Sequence, residues 1–155
     1  MARRWQPAVR EVKLPEDVRA SAQVLMALEK ADIILIAPSN PYVSINPILN
    51  VYPVREMIAD LPKVVAAVSP IVAGQALKGP AAKMMSEMGV TVSAAAVADY
   101  YGQLIDVFVY DRRDDEAPHL PELNTLRTDT IMQDRAGRRR LAGEILKYIV
   151  GLLNQ

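Results

Sequence analysis

Residues 31–50 read ADIILIAPSNPYVSINPILN, and this stretch decides how the rest of the chain is read. The continuous apolar run from Ile33 to Ala37 has the pattern of a strand covered on both faces, as in a parallel sheet. It stops at Pro38-Ser39-Asn40-Pro41, and a second Asn-Pro pair follows at Asn46-Pro47. So dense a set of caps and fixed φ angles has two readings. It redirects the backbone after a buried strand, or it holds backbone N–H groups towards a ligand.

Working outward, apolar runs alternate with helical patterns along the whole chain, the signature of βαβ units. A short strand is expected at Val9–Leu14. Val24, Leu25 and Leu28 have helical spacing in SAQVLMALEKA, and a helix over Val54–Asp60 follows Pro53, a residue suited to a first helical position. Lys63–Val68 is the next buried strand. GPAAKMMSEMG is a helix begun at Pro80 and stopped at Gly89. Val90–Val92 reads as a short strand, and a helix capped by Ser93 comes next. DVFVYD ends a strand at Asp111, a weaker strand covers Leu123–Arg127, and Arg135–Asn154 closes the chain as a helix with Leu141, Ile145, Ile149 and Leu152 on one stripe. These elements make a single α/β domain over residues 1–155, a mostly parallel sheet with helices on both faces.

The totals set outer bounds. In 155 residues, 18 basic and 18 acidic side chains leave no net charge. General capture of nucleic acid or an anionic membrane needs a basic surplus, so neither is expected. No apolar run reaches the ~20 residues of a membrane-spanning helix, and Met1-Ala2-Arg3-Arg4-Trp5 is too short and polar for a secretory signal. Cysteine is absent, which removes disulfides, thiolate metal sites and cysteine nucleophiles. A cytoplasmic protein is the expectation. The single histidine, His119, lies in an acidic, proline-containing loop and receives no catalytic role. The Arg138-Arg139-Arg140 run reads as a solvated helix face, with a phosphate contact as the alternative.

In an open α/β sheet, ligands bind outside the carboxyl ends of the strands. The strand exits here carry Ser39-Asn40, then Ser69 and Gly74, Ser93, Asp111, and Thr128-Asp129-Thr130. Each is an ordinary cap or turn former taken singly; five on one edge suggest a site. SPIVAGQALKGP adds Gly74, Lys78, Gly79 and Pro80 between a strand end and a helix start. Glycines permit close backbone approach, a helix N-terminus favours an anion and a lysine adds a point charge. PSNPYVSINP follows the same logic without the cation: Asn40 and Ser44 donate or accept, and Pro41 fixes the chain so that neighbouring amides face outward. Neither loop is a Walker loop or a G-x-G-x-x-G turn. For a magnesium ion, which needs carboxylates plus substrate phosphates, the candidates are Asp99, Asp111 and Asp129, each equally a capping or surface carboxylate.

Four blocks then occur in the order found in one family: APSNPYVSINPILNV, VVAAVSPIVAGQALKGPAAKMM, GVTVSAAAVADYYGQLIDVFVYD and TDTIM. The chain resembles the carboxyl-terminal half of the 2-phospho-L-lactate transferases of coenzyme F-420 biosynthesis. The resemblance implies a Rossmann-like fold and a magnesium-dependent transfer. A phospholactyl or phosphoenolpyruvyl group passes from a guanosine-diphosphate-linked donor to the hydroxyl of the deazaflavin Fo, with release of GMP. It also implies that Ser39, Asn40 and Pro41, with Ser69, Gly74 and Lys78, form the loops at the nucleotide diphosphate.

The departure lies in what is missing. The family's members are about twice as long and open on a glycine-rich phosphate loop, whereas this chain has seven glycines and no G-x-G. RRWQPAVREV, at residues 3–12, resembles the point where the family's first half gives way to its second. The chain is therefore expected to be a fragment or a split half that self-associates or pairs with the missing amino-terminal half. The alternative is a non-catalytic regulatory module that binds a nucleotide or nucleotide-sugar.

Overall fold

The computed structural model describes residues 9 and 11–154. Residues 3–8 and 10 of the junction-like stretch, and the Met1–Trp5 segment, lie outside them. Among the described residues six strands and six α-helices occur: α1 (Ala22–Lys30), β1 (Ile33–Ile36), α2 (Asn46–Leu49), α3 (Val54–Asp60), β2 (Val64–Val68), β3 (Ile71–Val72), β4 (Gln75–Ala76), α4 (Ala81–Glu87), α5 (Ala94–Tyr101), β5 (Val107–Asp111), β6 (Asn124–Thr128) and α6 (Arg135–Leu153).

Four strands form one sheet in the order β1-β2-β5-β6, all parallel, with Ile33 opposite Val64, Ala66 opposite Val107 and Val107 opposite Asn124. This is the α/β, Rossmann-like architecture expected. Alternation along the central strands sorts their side chains to two faces. Val65, Ala67, Phe108 and Tyr110 join a core with α3, α4 and α5. Ala66, Val68, Val107 and Val109 meet Leu141, Ile145 and Ile149 of α6 on the other face. Every residue of β5 is buried, as the continuous run VFVYD requires of a central parallel strand.

Helix boundaries follow local chemistry. Ser21 accepts from the Val24 amide at the start of α1, and Ser93 Oγ accepts from the Ala96 amide at 3.1 Å. The Asp134 carboxylate accepts from the Gly137 amide at 2.7 Å to begin α6. Gly89 stops α4 in the left-handed region at φ 73°, a conformation that costs glycine nothing. Pro53 stands just outside α3, as its N-cap.

Three expectations are overturned. Val9 and the described residues up to Leu14 form no strand; Val9 donates its amide to Glu87 at 2.9 Å, and Val9 and Val12 lie on the core as unpaired chain. Val90–Val92 is also a connection: between the Gly89 turn and the Ser93 cap too little chain remains to pair. β1 is an edge strand, so its outer half is not covered on both faces, and Leu35 is 48% exposed.

The short helix α2 and a hairpin were not foreseen. SPIVAGQALKGP, read as a loop, contains the hairpin β3–β4, with Ile71 opposite Ala76 and Val72 opposite Gln75. Ala73 and Gly74 turn it with φ of 48° and 68°, the two positive φ values of a two-residue hairpin turn.

Among the described residues, two buried polar atoms have no partner, one of them in the core at the end of α5. Tyr101 is 4% exposed, its hydroxyl has no partner, and burial pushes its pKa upward. Replacing an unsatisfied hydroxyl with hydrogen removes a desolvation cost of ~1 kcal/mol or more. Tyr101→Phe is therefore expected to leave stability unchanged or raise it by about 1 kcal/mol in urea unfolding. A loss of stability would show that the hydroxyl is bonded.

Candidate functional site

All four strands of the main sheet run the same way, so their carboxyl ends share one edge. There the loops after β1 and β2 and the segment after β6 enclose a cleft of about 370 Å³. Ser39, Asn40 and Ser44 line it from the β1 side, Ser69, Lys78 and Gly79 from the β2 side, and Thr130 and Met132 from beyond β6. Pro38, Val43, Pro70, Leu77 and Pro80 complete an apolar wall. Of the seven residues picked out in the sequence, five line this cleft. Pro41 is buried, and Gly74 faces a separate cavity of about 300 Å³ with Ser93, Arg113 and Asp114. Ser93 follows no strand, so four strand exits share the edge rather than five.

The loop after β1 is tied to itself. Pro41–Ile45 forms a π-helical turn, and the Asn40 carbonyl accepts from the Ser44 and Ile45 amides at 3.1 Å each. Asn40 Oδ1 accepts from the amides of Tyr42 and Val43 at 2.9 and 3.3 Å. Asn40 Nδ2 donates to Met84 Sδ at 3.3 Å. The amides expected to face outward are therefore consumed within the turn, because a buried N–H must find an acceptor. Asn40 works first as a cap. Ser69 is equally occupied: its hydroxyl donates to the Ile71 carbonyl at 3.0 Å and accepts from the Ile71 amide at 3.1 Å. Lys78 and half-buried Ser39 and Ser44 are the polar side chains of these loops that present surface to the cleft.

Behind the cleft is a carboxylate network. Asp111, at the end of β5, is fully buried. Its Oδ1 accepts from the Arg113 amide and guanidinium, each at 2.9 Å. Its Oδ2 accepts from the Thr130 amide at 2.7 Å and hydroxyl at 3.0 Å. Burial pushes this carboxyl up, but the four hydrogen bonds outweigh it and hold the pKa below the ordinary range. Asp129 also meets Arg113, at 3.0 Å, and that bond holds its pKa down. Arg140 donates to the Asp129 carbonyl at 2.6 Å and pairs with Glu144 at 3.1 Å. The third residue of the Arg138–Arg140 run thus anchors α6 to this segment, whereas Arg138 and Arg139 are exposed, as a solvated face requires. His119 is likewise exposed.

The three carboxylates considered for magnesium do not gather. Asp99 is exposed on α5, while Asp111 and Asp129 are engaged by Arg113 and by neighbouring amides. Among the described residues no group of three or more histidine, cysteine or acidic side chains could hold a metal ion. A second buried carboxyl, Asp114, accepts from the Ala73 amide at 2.8 Å through Oδ1. Its Oδ2 has no partner, and burial raises its pKa.

The sequence reading missed the apolar wall and Thr130's part in the cleft. Thr130 was legible only as one of three polar residues after a strand. That it donates twice to Asp111 depends on β5 and β6 being neighbours, which no local pattern states.

Residues 2–147 match the family model described as 2-phospho-L-lactate transferase CofD. Over 147 residues the chain is 37% identical to the 2-phospho-L-lactate transferase of Methanosarcina acetivorans, covering 93% of this chain and 46% of that one. The Methanosarcina mazei enzyme of the same name is 39% identical over 147 residues, 92% of this chain and 48% of its own. That of Methanopyrus kandleri is 37% identical over 153 residues, 95% and 48%. The chain spans about half the length of these relatives. A match across nearly all of the chain, on a parallel sheet whose strand ends enclose a lysine-bearing cleft, places it in the 2-phospho-L-lactate transferase CofD family.

Proposed function

We propose that the cleft at the carboxyl ends of β1, β2 and β6 binds the diphosphate of a guanosine-linked donor. On this reading the chain serves the transfer of a 2-phospholactyl or phosphoenolpyruvyl group to the deazaflavin Fo in coenzyme F-420 biosynthesis. The observation that carries the reading is Lys78 beside Ser39 and Ser44 in one cleft, a cation and two hydroxyls suited to phosphate oxygens. The protein's share of such a transfer is to position two substrates and to stabilise charge on the phosphoryl group. Lys78 supplies the charge, and the capped turn held by Asn40 keeps Ser44 in place.

Magnesium belongs to this proposal as an ion that would offset the charge of the donor's phosphates. The carboxylates of the described residues do not fit it, since no three of them gather with one another or with histidine to hold an ion. Its protein ligands, on this reading, come from the part of the relatives that the chain does not span. The second reading is a module that binds a nucleotide or nucleotide-sugar without turnover, which the same cleft of Lys78, Ser39 and Ser44 would also serve.

Calorimetry with GDP, GMP and a UDP-sugar separates the two. Guanosine selectivity supports the transferase reading, and tight UDP-sugar binding with indifference to guanosine nucleotides supports the module. Lys78→Met is expected to weaken GDP binding about 10- to 100-fold, the worth of one charge-assisted phosphate contact of ~1.5–3 kcal/mol. Unchanged affinity would remove the cleft from the proposal.

A further inference from the structure

The hairpin β3–β4 divides two cavities. Pro70 and Leu77 at its base line the cleft, whereas Ala73 and Gly74 at its tip line the second cavity, of about 300 Å³. Three residues of strand separate base from tip, roughly 10 Å at about 3.4 Å each. The second cavity is also walled by the start of α5, from Ser93 to Ala95, and by residues 113–116 after β5.

Two walls of this cavity carry polar groups with bonds left to make. Asp114 is 7% exposed. Its Oδ1 accepts from the Ala73 amide, and its Oδ2 has no partner among the described residues. On the wall formed by α5, Ser93 spends its hydroxyl on the Ala96 amide and its carbonyl on the Val97 amide. The amides of Ala94 and Ala95, the first two of the helix, have no acceptor within it. The space is far larger than the ~15 Å³ that admits one water, so it has room for more than a solvent molecule on Asp114.

Charge restricts what fits. A phosphate or carboxylate would meet Asp114, Asp115 and Glu116. A cation would meet the positive end of α5, and no group of three ligand-type side chains is there to hold a metal ion. A neutral group with a donor beside an acceptor satisfies both walls. Arg113, whose guanidinium is held by Asp111 and Asp129, adds a planar surface on which a ring stacks. Asp115 and Glu116 are exposed, and their side chains make no hydrogen bond or ion pair with the described residues, so a ligand entering past them breaks none.

We infer that this cavity binds the lactam edge of a planar heterocycle, with its N–H on Asp114 Oδ2 and its carbonyl on the first amides of α5. Among the nucleobases guanine suits it best, because N1–H and the amino group give a carboxylate two donors and O6 takes the amides. Uracil brings one N–H, and adenine has no lactam. The lactam belongs either to the base of a nucleotide whose phosphates lie in the cleft or to a separate molecule. The site depends on its own groups, whether or not the cleft takes a phosphate.

Calorimetry with guanosine, which carries no phosphate, tests it. Guanosine is expected to bind at least tenfold more tightly than adenosine. Asp114→Asn should weaken guanosine at least tenfold and reverse the preference to xanthosine, because the new amide donates to the carbonyl that replaces guanine's amino group. A gained preference cannot come from lost folding. Displacement of guanosine by GDP, with GDP also weakened by Asp114→Asn, assigns the lactam to a nucleotide spanning both cavities; simultaneous binding of the two assigns it to a separate molecule. GDP that binds no better than guanosine counts against the phosphate reading of the cleft and leaves the lactam site standing. No binding of guanosine at millimolar concentration overturns the inference. So does binding that Asp114→Asn leaves unchanged, or a loss with no shift towards xanthosine.

Discussion

Replacing Asp111 with asparagine is expected to cost about 3 kcal/mol of stability, near the lower end for breaking one side of a buried pair. Both carboxylate oxygens accept two hydrogen bonds each, from Arg113 on one side and Thr130 on the other. An asparagine has one acceptor oxygen, so its amide NH₂ faces two donors whichever way it turns. On the Thr130 side those donors lose their partner at a residue only 3% exposed. Arg113 is 41% exposed at its side chain and keeps Asp129, which limits the loss. Urea unfolding at neutral pH measures it, and a change below 1 kcal/mol would mean that the network does not hold the β5 and β6 ends together.

The same substitution has a pH signature. Asp111 has a pKa below its unfolded value, so its stabilisation is complete at neutral pH and fades as pH falls through the folded pKa. Asp129 and Glu144 shift in the same direction. The parent should therefore lose stability in acid, below about pH 4 where free carboxylates begin to protonate, and Asp111→Asn should lose less over that range. Asp114 opposes the trend, since its raised pKa makes its ionisation a cost that grows as pH rises. Because Thr130 lines the cleft, Asp111→Asn should also weaken ligand binding.

The second large effect is expected from Phe108→Ala, at ~3–5 kcal/mol, the range for truncating a buried aromatic side chain. Phe108 is among the largest fully buried side chains and sits on a central strand, between Ala67 and Thr125 in the register. The flanking strands hold it where it is, so the space it leaves cannot collapse. Thermal and chemical denaturation both read this loss, which is a large part of the ~5–15 kcal/mol that holds a domain folded. A cost under 2 kcal/mol would show that α3 to α5 can close onto the sheet.

The local pattern carried most of the elements. Val54–Asp60 is helix at the bounds expected, and Ser93 and Gly89 act where their chemistry says. The strands of the main sheet lie within a residue or two of the runs that predicted them, because a continuous apolar run and a helical stripe are properties of neighbours in the chain. The two strands that failed, at residues 9–14 and 90–92, were short apolar stretches, and such a stretch becomes a strand only when another offers it hydrogen bonds.

The sequence of this protein determined its class, the chain positions of the four main-sheet strands and of the longer helices, and the loops that meet at one edge. Those follow from periodicity and capping, which act over a few residues. Only the tertiary structure decided which of the polar residues are spent. Asn40 and Ser69 cap their own turns, Gly74 faces another cavity, and Asp111 is locked to Arg113 and Thr130. The structure also showed that the run opening with Ile33 is the edge of the sheet. A side chain's remaining valence, and a strand's remaining edge, depend on partners tens of residues away.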